Sequence, residues 1–258
     1  MKKVICLLIA LILLLCGCSS PSPSEESQIP PENTTAPVEV LDVTGTFTKM
    51  ENGNLLSATG IEYEFLVNEG FLSYVGKLEF AGSIEGEAET VEFLGEPHQM
   101  GMFTIQGDAD KNILIRIRED SEWYGIYRKA SLPEFDFSVE RCVRLEFYPH
   151  NTFLSQHADC NAGITDRDEI AELLAEVKTQ PSPREAGLYE MVAKPNGFFE
   201  NCYQCGTIYG FFEEEPNLAI PLPVTSYNNL AYSVSIGHSD YVLPTVWFER
   251  LRDTACSP

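Results

Sequence analysis

Met102–Arg118 reads MFTIQGDADKNILIRIR, and this stretch decides the class of fold. Two runs rich in Ile and Phe flank Gly107-Asp108-Ala109-Asp110, a cluster of turn-forming residues. Short β-prone runs on either side of such a cluster predict two antiparallel strands joined by a hairpin. Asp108-x-Asp110-x-Asn112, with Glu119 at the twelfth position, also copies part of a calcium-binding loop. That loop needs Gly at its sixth position for a sharp turn, and Ile113 stands there, so the hairpin is the better reading.

The same theme extends outward. Thr44–Met50 meets an Asn52-Gly53 turn signal, and Ile61–Phe65, Lys77–Phe80 and Val91–Phe93 alternate apolar with polar. Trp123–Arg128, Val143–Tyr148, Leu188–Ala193, Gly206–Phe212, Leu218–Leu222 and Ala231–Ile236 are further expected strands. The polar member of the alternation is often Glu or Arg, which predicts one sheet face in water. One helix interrupts the strands, over about 166–178. Thr165 or Asp166 can cap it, and Ile170, Leu173, Leu174 and Val177 form one apolar stripe. Asp and Glu open it, Lys178 closes it, and Pro181 and Pro183 stop it. Pro244–Arg252 predicts a short C-terminal helix with Val246, Phe248 and Leu251 turned inward. The expected class is α+β, predominantly antiparallel sheet.

Composition bounds the partners. The 258 residues hold 17 Lys+Arg against 39 Asp+Glu, a net charge of -22. Such acidity disfavours nucleic acid, whose affinity for proteins comes largely from Lys and Arg on phosphates. It equally disfavours electrostatic attraction to anionic headgroups.

The N-terminus carries an address. Lys2 and Lys3 precede thirteen apolar residues, Val4 to Cys16. That run is shorter than the ~20 residues a helix needs to cross a bilayer core, and it suits the apolar region of a signal peptide. Leu15-Cys16-Gly17-Cys18 follows, and it resembles the lipobox of bacterial lipoproteins. The resemblance implies a signal peptide over 1–17 and a Cys18 that carries thioether-linked diacylglycerol with acyl chains of the palmitate kind. Two acyl chains tether a protein to the lipid bilayer where one holds only marginally. Residues 18–38, rich in Ser, Pro and Glu, read as a solvated stalk. The globular part is 39–258, and Ala130–Asp136 is where a division into subdomains would fall. The stalk's composition fits the surface of a Gram-positive cell, which makes the expected location extracytoplasmic.

Five cysteines besides Cys18 remain: Cys142, Cys160, Cys202, Cys205 and Cys256. Cys202-Tyr203-Gln204-Cys205-Gly206 has the spacing of a zinc knuckle, in which Gly allows the tight turn. His157-Ala158-Asp159-Cys160 supplies the other half of a tetrahedral set, with His150 as an alternative ligand. A zinc held by Cys160, Cys202, Cys205 and His157 would be structural, because four protein ligands leave no position for water. Two other readings stand beside it: a disulfide from Cys142 or Cys160 to Cys202 or Cys205, and separate buried thiols. A redox motif fits worse, since a strand and not a helix follows Cys205.

No catalytic residues are assigned. Gly-x-Ser-x-Gly, His-Glu-x-x-His and the phosphate-loop pattern are absent. Gly237-His238-Ser239-Asp240 reads as a turn at a sheet end, and Glu213-Glu214-Glu215-Pro216 as a solvated acidic turn. Phe198, Phe199, Tyr203, Tyr209, Phe211 and Phe212 are six aromatics within fifteen residues. If exposed, such a cluster, or the smaller Trp123-Tyr124, would recognise a protein or a sugar face. The expected function is a tethered binding, sensing or interaction module for a protein, small-molecule or glycan ligand. The alternative is a cell-surface enzyme, such as a metal-assisted hydrolase.

Overall fold

The computed structural model describes residues 43–66, 72–93, 96–117, 124–150 and 163–254. The signal peptide, Cys18, the stalk, Glu119, Trp123, His157, Cys160 and Cys256 lie outside the described residues. The chain divides into two units, Met1–Glu39 and Val40–Pro258. The second is α+β, and its paired strands are antiparallel.

The strands are, in chain order, β1 (Thr48–Lys49), β2 (Leu55–Leu56), β3 (Glu62–Leu66), β4 (Ser73–Tyr74) and β5 (Leu78–Gly82), of which β2 and β4 were not among those expected. Next come β6 (Thr90–Phe93), β7 (Glu96–Gln99), β8 (Gly101–Ile105), β9 (Ile113–Ile117) and β10 (Tyr124–Lys129). A 3₁₀ turn, Val139–Arg141, leads into β11 (Arg144–Pro149). The helices α1 (Arg167–Thr179) and α2 (Leu188–Val192) precede β12 (Cys202–Phe211), β13 (Leu218–Tyr227), β14 (Ala231–Ile236), β15 (Ser239–Leu243) and α3 (Thr245–Asp253). The first sheet runs β1-β2-β3-β10-β9-β8-β5, and β6 pairs β7 alone. The second runs β11-β12-β13-β14-β15, and β4 pairs Leu218 and Ala219 at the start of β13. A strand from the N-terminal half thus belongs to the C-terminal sheet.

The stretch from Met102 forms the hairpin its pattern predicts. Thr104 pairs Leu114, and the Asp108 carboxylate accepts a hydrogen bond from the Ile113 N–H at 3.1 Å. Tyr63 Oη, from β3, donates to the Lys111 carbonyl at the hairpin's tip. Asp108 is buried and engaged in closing its own loop, as short Asx side chains commonly are.

α1 begins where capping chemistry places it. Asp166 Oδ1 accepts from the N–H groups of Asp168 and Glu169, two of the donors that a helix start leaves without partners. Ile170, Leu173, Leu174 and Val177 are all buried. They join one core with Ile113, Ile115 and Ile126 of the first sheet and Leu145, Phe147, Ile208, Leu222 and Val224 of the second. Each fully buried side chain of this kind contributes about 1.5–3 kcal/mol. In α3, Phe248 and Leu251 turn inward, but Val246 is exposed. Residues two apart on a helix do not share a face, so Val246 cannot join Phe248.

Three further expectations are corrected. Leu188–Ala193 is not a strand: Ser182 and Glu185 exchange hydrogen bonds across the preceding turn, Gly187 turns the chain at φ 72°, and one helical turn follows. Leu188 and Val192, four apart, are its buried pair. A run this short fits either period, and the preceding turn with left-handed Gly187 at the helix start, not a side-chain cap, sets its course. Nor is the polar face of every strand in water. Arg128, Glu146 and Glu215 are buried. Arg128 donates to Glu215 Oε1 through Nε at 2.8 Å and Nη2 at 2.7 Å. Glu146 Oε2 accepts from Tyr148 Oη at 2.9 Å, and Arg144 Nε lies 2.9 Å from Oε1. Burial pushes the Glu146 carboxyl up, against the pull of Tyr148 and Arg144. The run Glu213–Glu215 is not uniformly a solvated turn either. Each of the three takes a different arginine: Arg167, Arg141 and Arg128 in turn.

Candidate functional site

The aromatic run splits along β12. Phe211 and Phe212 are buried, whereas Phe198 and Phe199 remain 69% and 55% exposed. Local backbone geometry explains why the two phenylalanines protrude. Gly197 takes φ 81°, Lys194 N–H bonds the Phe198 carbonyl, and Glu200 N–H bonds the Val192 carbonyl. These contacts fold residues 194–199 into a tight return off the end of α2, with Ala193 bridged to Phe199. Tyr189 of α2 stacks on Phe199, ring centroids 5.4 Å apart and 26° from parallel.

The turn between β13 and β14 abuts this return. Asn228 and Asn229 hold φ 55° and 58°, a region where Asn is tolerated better than most residues. Asn228 Nδ2 donates to the Met191 carbonyl at 2.9 Å, and Asn201 Nδ2 donates to Asn228 Oδ1 at 3.2 Å. Tyr203 Oη donates to Asn229 Oδ1 at 2.6 Å. Side-chain amides therefore tie α2 and the start of β12 to the β13–β14 turn, on either side of the 194–199 return. Met191, Phe198, Phe199, Tyr203 and Leu230 are exposed at this end. Beneath them Leu188, Val192 and Tyr227 form a small separate core. Apolar side chains exposed together and rimmed by polar groups mark interaction sites.

The sequence pointed to Phe198, Phe199 and Tyr203 but missed Met191 and Leu230. Met191 lay in a run taken for strand. Leu230, 72% exposed beside two turn asparagines, was the available signal, since a turn has no structural need of Leu there.

The cysteine motif takes a form other than a knuckle. Cys202 pairs Tyr227 within the β12–β13 ladder, and a bulge falls between Gln204 and Gly206, at Cys205. Cys202 packs on the small core under α2, while Cys205 packs on the main core with its Sγ 3.5 Å from the Val224 carbonyl. Gly206 serves close packing: a Cβ there would meet the Phe147 ring and the Tyr148 carbonyl at 2.5 Å. Cys142, Cys202 and Cys205 are free thiols. Burial raises Cys202, raises Cys205 to about 11, and with Glu140 nearby raises Cys142 to about 12. His150 donates its backbone N–H to the Cys205 carbonyl, and its side chain is exposed. Among the described residues no three His, Cys, Asp or Glu side chains gather to hold a metal ion. His157 and Cys160, the other half of the zinc set, lie outside those residues.

Of Gly237-His238-Ser239-Asp240, Gly237 and His238 form the expected tight turn, whereas Ser239 and Asp240 open β15, and Ser235 donates to the paired Asp240 across it. Among the described residues no helix is long and apolar enough to cross a membrane. No family model, no curated protein and no solved structure matches this chain.

Proposed function

We propose that the chain is a lipid-anchored extracytoplasmic interaction module that docks a protein partner through the aromatic end beside α2. The observation that carries this reading is the shared exposure of Met191, Phe198, Phe199, Tyr203 and Leu230 on turns braced by side-chain amides. Aromatics and Met are enriched at protein interfaces, and pre-organised side chains cost less entropy to dock. A sugar would need amides directed outward. Here the amides of Asn201, Asn228 and Asn229 are engaged in holding the turns, which favours an apolar protein surface. The lipobox and stalk support the location, with Cys18 as the point of attachment to the bilayer. The separate packing of Cys202 and Cys205 supports independent thiols over a shared zinc.

A photo-crosslinking residue placed at Phe198, in cells that make the protein, tests the docking surface. A discrete protein adduct is expected there and not from the same residue at exposed Glu79. The double variant Met191→Gln, Leu230→Ser should abolish the adduct, with each change shifting stability by no more than ~0.5 kcal/mol, as surface changes do. Equal labelling from both positions overturns the docking proposal. Separately, Cys18→Ser should move the protein from the membrane to the soluble fraction; retention in the membrane overturns the anchor.

A further inference from the structure

α1 is held differently on its two flanks. Towards α3, Arg250 Nε donates to Glu169 Oε1 at 3.1 Å, and Trp247 Nε1 donates to Glu176 Oε2 at 2.7 Å. Between another flank of the helix and the 3₁₀ turn Val139–Arg141 lies a cleft of about 520 Å³. That volume sits within the ~300–1,000 Å³ typical of small-molecule sites. Ile170 and Leu174 of α1, with Cys142 and Val143 across from them, give it an apolar floor. Ala171 and Ala175, one turn apart, line it as well, and their short side chains leave it open.

Three cations, Arg141, Arg167 and Lys178, and two carboxylates, Glu140 and Glu214, complete the lining. With Glu213, which reaches Arg167 from outside the lining, three cations meet three carboxylates, a balance richer in positive charge than a chain with 39 acids to 17 bases. The cations are occupied by the protein's own carboxylates: Arg141 by Glu214 at 2.9 Å, Arg167 by Glu213, and Lys178 by Glu140. All three pairs are exposed. Exposed pairs contribute little in water, so an incoming anion can exchange for them. Glu215, next along, is buried on Arg128 and anchors the backbone from which Glu213 and Glu214 reach out.

We infer that this cleft binds a small amphipathic anion, a single carboxylate or equivalent head on an apolar body. The head takes the place of Glu213 and Glu214 on Arg167 and Arg141, with Lys178 as the third cation, and the body lies over Ile170, Leu174 and Val143. Such a ligand comes from one of two sources, a fatty acid of the membrane or a compact soluble acid. The site is independent of the aromatic end, none of whose side chains line it.

Calorimetric titration of the full mature chain, with Cys18→Ser to dispense with detergent, tests the inference. The probes are decanoate, 3-phenylpropionate and uncharged octyl glucoside. At least one carboxylate should bind at least tenfold more tightly than octyl glucoside and weaken with added salt. Preference for decanoate assigns the lipid source, and preference for phenylpropionate the soluble one. Arg141→Gln with Arg167→Gln should lower affinity at least tenfold, and so should Ala175→Trp, which fills the cleft. Glu213→Gln with Glu214→Gln should raise affinity by removing the internal competitors, a gain that a misfolded variant cannot imitate. Binding of neither acid, equal binding of octyl glucoside, or affinity unchanged in the arginine and Ala175→Trp variants overturns it.

Discussion

Strands β3 and β5 and strands β10 and β11 carry the same kind of alternation and put its charged member in opposite places. Glu62 and Glu64 on β3 are part-exposed and Glu79 on β5 is exposed. Arg128 on β10 and Glu146 on β11 are buried. Alternation assigns side chains to faces; what lies across from a face decides whether it meets water. The buried charges persist because each has a partner, and the two differ in how well they are served. Arg128 and Glu215 share two short charge-assisted hydrogen bonds. Glu146 has Tyr148 and Arg144 beside it, yet its carboxyl is still raised by desolvation.

Removing one partner of the better-served pair should have the largest effect. Arg128→Met strands Glu215 as a buried lone charge and should cost about 3–5 kcal/mol in a denaturant titration. Arg128→Met combined with Glu215→Leu should recover most of that loss, because no charge is then left buried alone. If the double variant is as unstable as the single one, the pair's role lies in packing and not in compensation.

Glu146 should show itself in the pH dependence of stability. Its folded carboxyl holds a proton to higher pH than the unfolded one, so the unfolded state loses protons first as pH rises. Stability is then highest below the ordinary Glu range and declines as pH climbs from about 4.5 through the folded value. Glu146→Gln removes that titration, and its stability relative to the parent should rise across the same window. Denaturation midpoints between pH 4 and 8 check this, and a parallel pair of curves would refute it.

The smallest effect belongs to the exposed side of the comparison. Glu79→Gln should shift stability by no more than ~0.5 kcal/mol at any pH in this range. A larger loss would mean that β5 carries its charge for a structural reason the exposure of Glu79 does not reveal.

Much of the fold was legible because it rests on local chemistry. The Gly107–Asp110 turn, the Asp166 cap and the α1 stripe each involve residues within a few positions of one another. What was hidden depends on distant segments. Nothing near Arg128 announces Glu215, and Glu213-Glu214-Glu215 looks like any acidic loop until three arginines from separate elements reach it. The aromatic end was half legible. The density of rings was plain, but which rings stay outside depends on the Gly197 return and on amides from the β13–β14 turn. For Cys202 and Cys205, spacing alone does not tell a knuckle turn from a strand, and the strand here carries a bulge at Cys205. A bulge inside a strand brings two cysteines three apart without the turn that a knuckle requires.

The pairing of β4 with β13 has a consequence for the order in which the molecule can be completed. A chain that emerges N-terminus first presents Ser73 and Tyr74 long before Leu218 and Ala219 exist to receive them. Ile113, Ile115 and Ile126 likewise wait for α1 and β11 to close their core. The first sheet therefore spends its early life as an incomplete platform, with apolar surface and strand edges open to neighbouring chains. Contacts this remote in sequence also slow folding, since the intervening loop must close before they give any return. The core closes only when the length from β4 to β13 is available.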